Sequence, residues 1–181
     1  MRRILAAAAL AVSAVAVLAG CTGTTSQAPT PVKSTDLTSS DGGFDQHAVV
    51  GVVLQASDAD TLPAEFRTEL TEAGFRPDVR VATAADPVAS QRTAVRELVR
   101  TGAKALLVQA EDASALTGEL QTAHDAGVVV VGLGDRLPAS GTGGDGVSAD
   151  YRVTGDTDAA LVEHSVDAVT ALQRGEKPAD G

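Results

Sequence analysis

The chain has 181 residues, which corresponds to one ordinary domain with tails or to one lobe of a larger protein. Hydrophobic residues make up 44% of it, close to the average of globular proteins, and this content argues against a fully disordered chain. Aromatic residues make up only 2% and the formal net charge is −10, so the sequence lacks the stacking side chains and basic clusters that nucleic-acid binding requires.

The first 21 residues are predicted to be a secretory signal. Arg2 and Arg3 precede an uncharged, Ala-rich run from Ile4 to Gly20, which is short for a membrane span. The run ends in Leu-Ala-Gly before Cys21, the single cysteine, and resembles the lipobox of bacterial lipoproteins, in which that cysteine is lipidated after cleavage. The resemblance implies a lipid anchor at Cys21 on the extracytoplasmic face of the cell membrane. The alternative is an uncleaved anchor helix in which Cys21 has no special role.

A polar segment, residues 22–46, is predicted to be a disordered tether. It is rich in Thr, Ser, Pro and Gly and has too few apolar side chains to bury a core. Such a tether would hold a folded body away from a membrane anchor.

Residues 47–175 alternate strand and helix patterns, and residues 176–181 are predicted to be a flexible tail. Ala48–Leu54 is a continuous apolar, β-branched run, which predicts a strand buried on both faces. In Leu62–Ala73, leucine and phenylalanine recur every four residues, which predicts a helix ending at Gly74.

Two further strands and a helix follow. Asp78–Thr83 alternates polar and apolar residues, which is typical of a strand near a sheet edge. Asp86 as cap and Pro87 in the first turn predict a helix that ends at Gly102. Ala103–Gln109 is then predicted to be the third strand.

The last predicted elements are two strands and two helices. Asp112 can cap the first of these helices, which stops before Gly127. The others are a strand at Val128–Leu133, a short strand at Gly146–Ala149 and a helix over about Val153–Leu172. Repeated strand–helix units with short connections predict an α/β fold, a parallel sheet of strand order 2-1-3-4-5 with helices on both faces. Ligands of such sheets bind at the carboxyl ends of the strands, here strands 1, 3 and 4.

Polar side chains follow several of the predicted strands. Carboxylates accept hydrogen bonds from sugar hydroxyls, and arginine donates with a fixed fork geometry, so this set suits a polyhydroxyl ligand. The candidate binding residues are Asp58, Asp112, Asp135, Arg136, Asp150 and Tyr151.

Two stretches, LLVQAEDASALTGELQTAHDAGVVVVGLGDRL and VSADYRVTG, resemble the amino-terminal lobe of type 1 periplasmic sugar-binding proteins, the ribose- and xylose-binding-like receptors of ABC importers. The resemblance extends over about Val49 to Gly175. It implies that Asp135 and Arg136 contact sugar hydroxyls and that Asp150 does the same. It also implies an ABC transporter permease as partner.

The chain departs from this family in two respects. The segment after the first strand, QASDADTLPAE, has no aromatic residue to stack on a sugar ring, which leaves Tyr151 as the aromatic nearest the crevice. The family has two lobes that close on the ligand, and this sequence stops about where the second would begin. A single lobe is therefore expected to bind a sugar weakly, or together with a separate second lobe. An open sheet edge also favours a homodimer.

Simpler interpretations apply to several candidates. Asp112 is favoured as a helix cap, Asp150 can cap the last helix, and Asp135 with Arg136 can form an exposed loop ion pair. No catalytic triad, metal-ligand spacing or cofactor motif is recognisable, so we expect no enzyme, metal or cofactor. The leading hypothesis is a lipid-anchored solute-binding protein for a sugar or polyol. The alternative is a docking or sensor lipoprotein that contacts a membrane partner without binding a ligand.

Overall fold

The computed structural model describes residues 43–138 and 148–178. The predicted signal with Cys21, the tether as far as residue 42, and residues 139–147 and 179–181 lie outside this part of the chain. None of the helices within these two ranges combines the length and the apolar character that crossing a membrane requires.

One parallel sheet organises the body. Its strands, in the order β2-β1-β3-β4-β5, confirm the predicted topology. The strands are β1 (Val49–Leu54), β2 (Arg76–Val81), β3 (Ala105–Val108), β4 (Val129–Leu133) and β5 (Tyr151–Val153). β1 is an interior strand that pairs with β2 and β3, so its run of valines is buried on both faces.

Helices cover both faces of the sheet. They are α1 (Leu62–Glu72), α2 (Pro87–Arg100), α3 (Thr117–Asp125) and α4 (Asp158–Gln173), and short 3₁₀ turns at Ala56–Asp58 and Ser114–Leu116 precede α1 and α3. As predicted, the Asp86 side chain caps α2 by accepting from the amide of Ala89 at 3.1 Å. Gly74 and Gly102 follow α1 and α2 with positive φ angles of 92° and 87°, which a glycine adopts without strain.

The alternation of strand side chains divides the core into two layers. One layer packs Val52, Leu107 and Val131 against α1 and α4, where Phe66 is fully buried. The other layer packs Val53, Leu106, Val108 and Val130 against α2 and α3. Gly51 faces this second layer, because a β-carbon there would lie 2.6 Å from Leu106 and 2.8 Å from Leu98.

The fifth strand and the last helix lie later in the chain than predicted. A strand was expected at Gly146–Ala149, but β5 begins at Tyr151, and the amide of Ala149 donates instead to the carbonyl of Pro138 at 3.0 Å. The helix expected from Val153 begins at Asp158, because Val153 pairs with Leu133 in the sheet. The side chain of Thr157 caps α4 through the amide of Ala160 at 3.2 Å.

The chain enters the body at the amino edge of the sheet. The amide of Phe44, just before β1, donates to the carbonyl of Gln173 at the end of α4 at 3.2 Å. Both ends of the described body therefore lie at the edge opposite to the carboxyl ends of the strands.

Candidate functional site

The carboxyl ends of four strands meet in one row of polar residues. We use the name carboxyl edge for residues 55–60, 109–112, 134–136 and 154–157, which follow β1, β3, β4 and β5. Because all strands are parallel, these segments share one side of the sheet.

Glu111 connects three of the elements at this edge. Its carboxylate Oε1 accepts from the amide of Ala56 after β1 at 3.0 Å. Its main-chain carbonyl accepts from the Arg136 guanidinium at 3.1 Å, and its Oε2 lies 4.0 Å from the same group. Glu111 thereby joins the loops that follow β1, β3 and β4.

Two glutamines tie β1 to β3 directly. The Gln55 side chain is buried and donates to the carbonyl of Ala110 at 2.7 Å. The main-chain amide of Gln55 donates to the side-chain oxygen of Gln109 at 3.3 Å. A buried side-chain amide is tolerated here because its nitrogen has a hydrogen-bond partner.

A third glutamine, Gln91 on α2, was not among the sequence-predicted site residues. It is 1% exposed and donates to the carbonyls of Leu54 at 3.2 Å and Gln109 at 2.8 Å. Its side-chain oxygen accepts from the amide of Glu111 at 2.9 Å. The available signal was its spacing, since Gln91 lies three residues after Val88 and four before Val95, on the apolar side of the helix.

The structure places both Asp135 and Arg136 at the carboxyl edge, but their side chains have different partners. Asp135 is 86% exposed and lies 3.8 Å from a guanidinium nitrogen of Arg152 on β5. Arg136 turns towards Glu111. They do not form the simple loop ion pair between themselves that their adjacency suggested.

Asp58 and Asp112 also lie at the carboxyl edge. Asp112 has a capping role, but at the 3₁₀ turn Ser114–Leu116 and not at the start of α3, where Leu116 precedes the helix without a side-chain cap bond. Its Oδ1 accepts from the Ser114 hydroxyl at 2.6 Å and from the amides of Ser114 and Ala115. These bonds hold the pKa of the Asp112 carboxyl below its ordinary value, and the bond from the Ser114 hydroxyl has the largest effect. Asp58 ends the 3₁₀ turn after β1 and accepts from the Ser57 hydroxyl at 3.1 Å.

Asp150 and Tyr151 lie away from the carboxyl edge, and the expectation that they follow the fifth strand was wrong. Asp150 precedes β5, is 6% exposed, and accepts from the amide of Val130 at 2.8 Å, with His124 Nε2 at 3.4 Å. Tyr151 pairs with Val131 in the sheet and packs against the α1–α4 layer of the core. The physical reason is the later position of β5, which moves both residues to its amino end.

The acidic residue that does follow β5 is Asp156. It is exposed in the turn between β5 and the Thr157 cap of α4. The sequence-based assignment missed it because the strand was placed several residues too early. Asp156 takes the position at the carboxyl edge that Asp150 was expected to occupy.

The carboxyl edge therefore offers exposed carboxylates and one oriented guanidinium. Carboxylate oxygens accept from hydroxyl groups, and the Arg136 nitrogens that do not face Glu111 are donors with fixed geometry. Within residues 43–138 and 148–178, no cluster of three or more His, Cys, Asp or Glu side chains could hold a metal ion. The groups at this edge are suited to hydrogen bonding with a polar ligand.

The fold is the α/β architecture of one lobe of a periplasmic binding protein, and solved structures that resemble it are ABC transporter solute-binding proteins. A carbohydrate transporter solute-binding protein from Chloroflexus aurantiacus, in complex with D-glucose, is 26% identical with a TM-score of 0.50. That alignment covers 62% of this chain and 32% of the other.

A solute-binding protein from Agrobacterium vitis, bound with α-D-tagatopyranose, is 16% identical with a TM-score of 0.52, over 60% of this chain and 38% of the other. A solute-binding protein from Clostridium phytofermentans with bound β-D-glucose is 20% identical with a TM-score of 0.50, and the alignment covers 60% of this chain and 32% of the other. The chain thus spans about a third of the length of these proteins. No protein-family model and no curated protein matches it.

Proposed function

We propose that this chain is a lobe of an extracytoplasmic solute-binding protein for a sugar or polyol, acting with an ABC importer. The observation that carries the proposal is the similarity to the glucose-bound Chloroflexus aurantiacus protein, at 26% identity over 62% of this chain. Solute-binding proteins of transporters bind rather than transform their ligands, and this favours a non-enzymatic role.

The carboxyl edge is the surface on which we expect the ligand. Asp58, Asp135 and Asp156 present acceptors for hydroxyl hydrogens, and Arg136 presents a donor whose direction Glu111 fixes. Small ligands usually lie in sites that bury most of their surface. An exposed edge covers only one side of a sugar, so we expect a dissociation constant of about 1 mM for this lobe by itself.

The proposal includes a lipid anchor at Cys21, from its lipobox-like sequence. The chain enters the body at the amino edge, where Phe44 contacts Gln173. The point at which the chain enters the body is therefore on the side away from the proposed binding surface.

The test is the thermal melt of the full chain in the presence of a panel of pentoses, hexoses and polyols. At about 100 mM of a ligand with a dissociation constant of about 1 mM, stability should rise by about 2.7 kcal/mol. For a body of this size that corresponds to a shift of roughly 8 °C. Stereoisomers at equal concentration control for the general stabilisation that any sugar gives by exclusion from protein surfaces.

A matched pair of variants shows whether the carboxyl edge is responsible. Arg136→Met should abolish the ligand-specific shift, whereas Arg174→Met should keep it. Arg174 is similarly exposed, but it lies at the end of α4 and pairs with Glu176. A cooperative melt that no sugar or polyol shifts would refute the proposal for this chain and favour a docking lipoprotein that binds no ligand.

A further inference from the structure

The carboxyl edge is held by a side chain that does not reach its surface. Gln91 lies on α2 between the buried residues of the second core layer and is 1% exposed. Its amide nitrogen donates to the carbonyls of Leu54 and Gln109, which end β1 and follow β3. The side chain thus bridges two neighbouring strands just where the polar loops begin.

A single residue, Glu111, links the Gln91 side chain to Arg136 through hydrogen bonds. Gln91 Oε1 accepts from the amide of Glu111 at 2.9 Å, and the carbonyl of Glu111 accepts from Arg136 at 3.1 Å. The main-chain amide of Glu111 is therefore bonded to the buried Gln91, and its main-chain carbonyl is bonded to Arg136, a candidate ligand-binding residue. The Glu111 carboxylate adds the bond to Ala56.

Glutamine is the residue type that this position requires. A buried side chain must supply two donors to the carbonyls and one acceptor to the amide, and an uncharged amide supplies both. A glutamate would offer no donor and would bring a charge into the core. A methionine of similar length would remove all three bonds, although the Leu54 carbonyl would keep its bond from the amide of Ala82.

We propose that Gln91 is a positioning residue for the carboxyl edge, which sets the direction of Arg136 through the main chain of Glu111. What the positioned edge binds rests on the proposed function. The positioning itself is a property of the unliganded protein and is tested without a ligand.

The test compares Gln91→Met with Val95→Ala in the full, isotope-labelled chain by NMR. Val95 is a fully buried residue one turn further along α2 that contributes only apolar packing, so its truncation controls for general loosening of the helix. In the wild type we expect slow rotation of the Arg136 guanidinium and slow hydrogen exchange of the Glu111 amide. Gln91→Met should give Arg136 the averaged signal of a free arginine and speed Glu111 exchange about tenfold, while Val95→Ala leaves both signals as in the wild type.

A second variant keeps the test decisive if Gln91→Met does not fold. Coupling between two groups acts in both directions, so Arg136→Met should shift the side-chain amide signals of Gln91. Arg174→Met, the matched surface control, should leave them unchanged. An Arg136 signal unchanged in folded Gln91→Met, or Gln91 signals unchanged in Arg136→Met, would overturn the inference.

The binding arm uses D-glucose as the probe. If the wild type binds it, Gln91→Met should weaken binding by about fivefold, and Val95→Ala should leave the affinity unchanged. Equal affinity of Gln91→Met and the wild type would contradict the inference. Absence of glucose binding in the wild type would count against the proposed function and not against the positioning, which the NMR signals of the free protein decide.

Discussion

At the scale of single residues, the short-range hydrogen bonds of Asp112 determine its role. The Ser114 hydroxyl and two main-chain amides donate to its carboxylate, and the bonds lower the pKa of this group. A carboxyl whose pKa is lower in the folded than in the unfolded chain stabilises the fold above the unfolded pKa. This stabilisation is lost as the pH falls through the folded pKa.

Asp112→Asn is therefore expected to destabilise the protein at neutral pH and to matter less in acid. Asparagine keeps the shape and one acceptor but loses the charge that strengthens the cap. Chemical denaturation of both proteins from neutral pH to about pH 2 should show their stability difference shrinking below about pH 4. Asp60→Asn, an exposed neighbour of Asp58, is the control, and a difference for Asp112→Asn that does not change with pH would contradict the prediction.

Residue patterns predicted local roles better than long-range ones. Asp86 and Asp112 bond to the next few residues, so their sequence context was sufficient to predict local capping bonds, although Asp112 caps the 3₁₀ turn before α3 and not α3 itself. Gln91 bonds to residues that lie 18 to 37 positions away, and only the folded sheet brings them together. Asp135 and Arg136 were placed correctly at the carboxyl edge, but their partners Arg152 and Glu111 depend on loops whose course a sequence pattern does not define.

At the scale of elements, an ion cluster joins α2 to α3. The Glu119 side chain on α3 is 6% exposed, and its Oε1 accepts from Arg92 at 3.0 Å and from Arg96 at 2.9 Å. Its Oε2 is buried without a hydrogen-bond partner in the described part of the chain. The two arginines are half exposed, so the buried member of this cluster is the carboxylate.

The two sides of this cluster should respond differently to mutation. The Arg92→Ala, Arg96→Ala double variant leaves a buried charge unpaired and should lose about 2–3 kcal/mol of stability, less than a fully buried pair because the arginines are screened by solvent. Glu119→Leu frees both arginines to extend into water and should lose less than about 1 kcal/mol.

Urea denaturation of the three proteins measures this asymmetry. A loss in Glu119→Leu as large as that in the double arginine variant would show that the attraction between the charges, and not the burial of the carboxylate, dominates the α2–α3 contact.

The elements themselves were predictable where the pattern was long. The valine runs of β1 and β4 and the four-residue spacing of α1 predicted their positions to within one residue. β5 was misplaced because it has only three residues, two of them partly exposed, and its position depends on pairing with β4. That single displacement moved Asp150 and Tyr151 away from the carboxyl edge and brought Asp156 to it.

At the scale of the whole molecule, both core layers share one sheet. Val52 and Val53 are neighbours in β1 and point into opposite layers, so loosening of either layer disturbs the strand that supports the other. α4 returns along the sheet beside α1, and as a result both faces of this lobe are covered by its own helices. A body with this arrangement should unfold as one cooperative unit.

Matched truncations in the two layers test this cooperativity. Leu70→Ala, in the layer of α1, and Leu98→Ala, in the layer of α2, each empty a fully buried position and should cost about 2–5 kcal/mol. Tyr151 is the only tyrosine in a chain without tryptophan, so its fluorescence reports on β5, while far-UV circular dichroism reports on all helices. In guanidinium chloride the two signals should give the same midpoint in each protein, including Leu98→Ala, whose cavity lies on the face of the sheet away from Tyr151. Separate midpoints in Leu98→Ala would mean that the layers unfold independently. The loops of the carboxyl edge follow the strands of the sheet, but Gln91, which holds them, lies on the α2 side of it. Loosening of the α2 layer would then release these loops before the sheet itself unfolds.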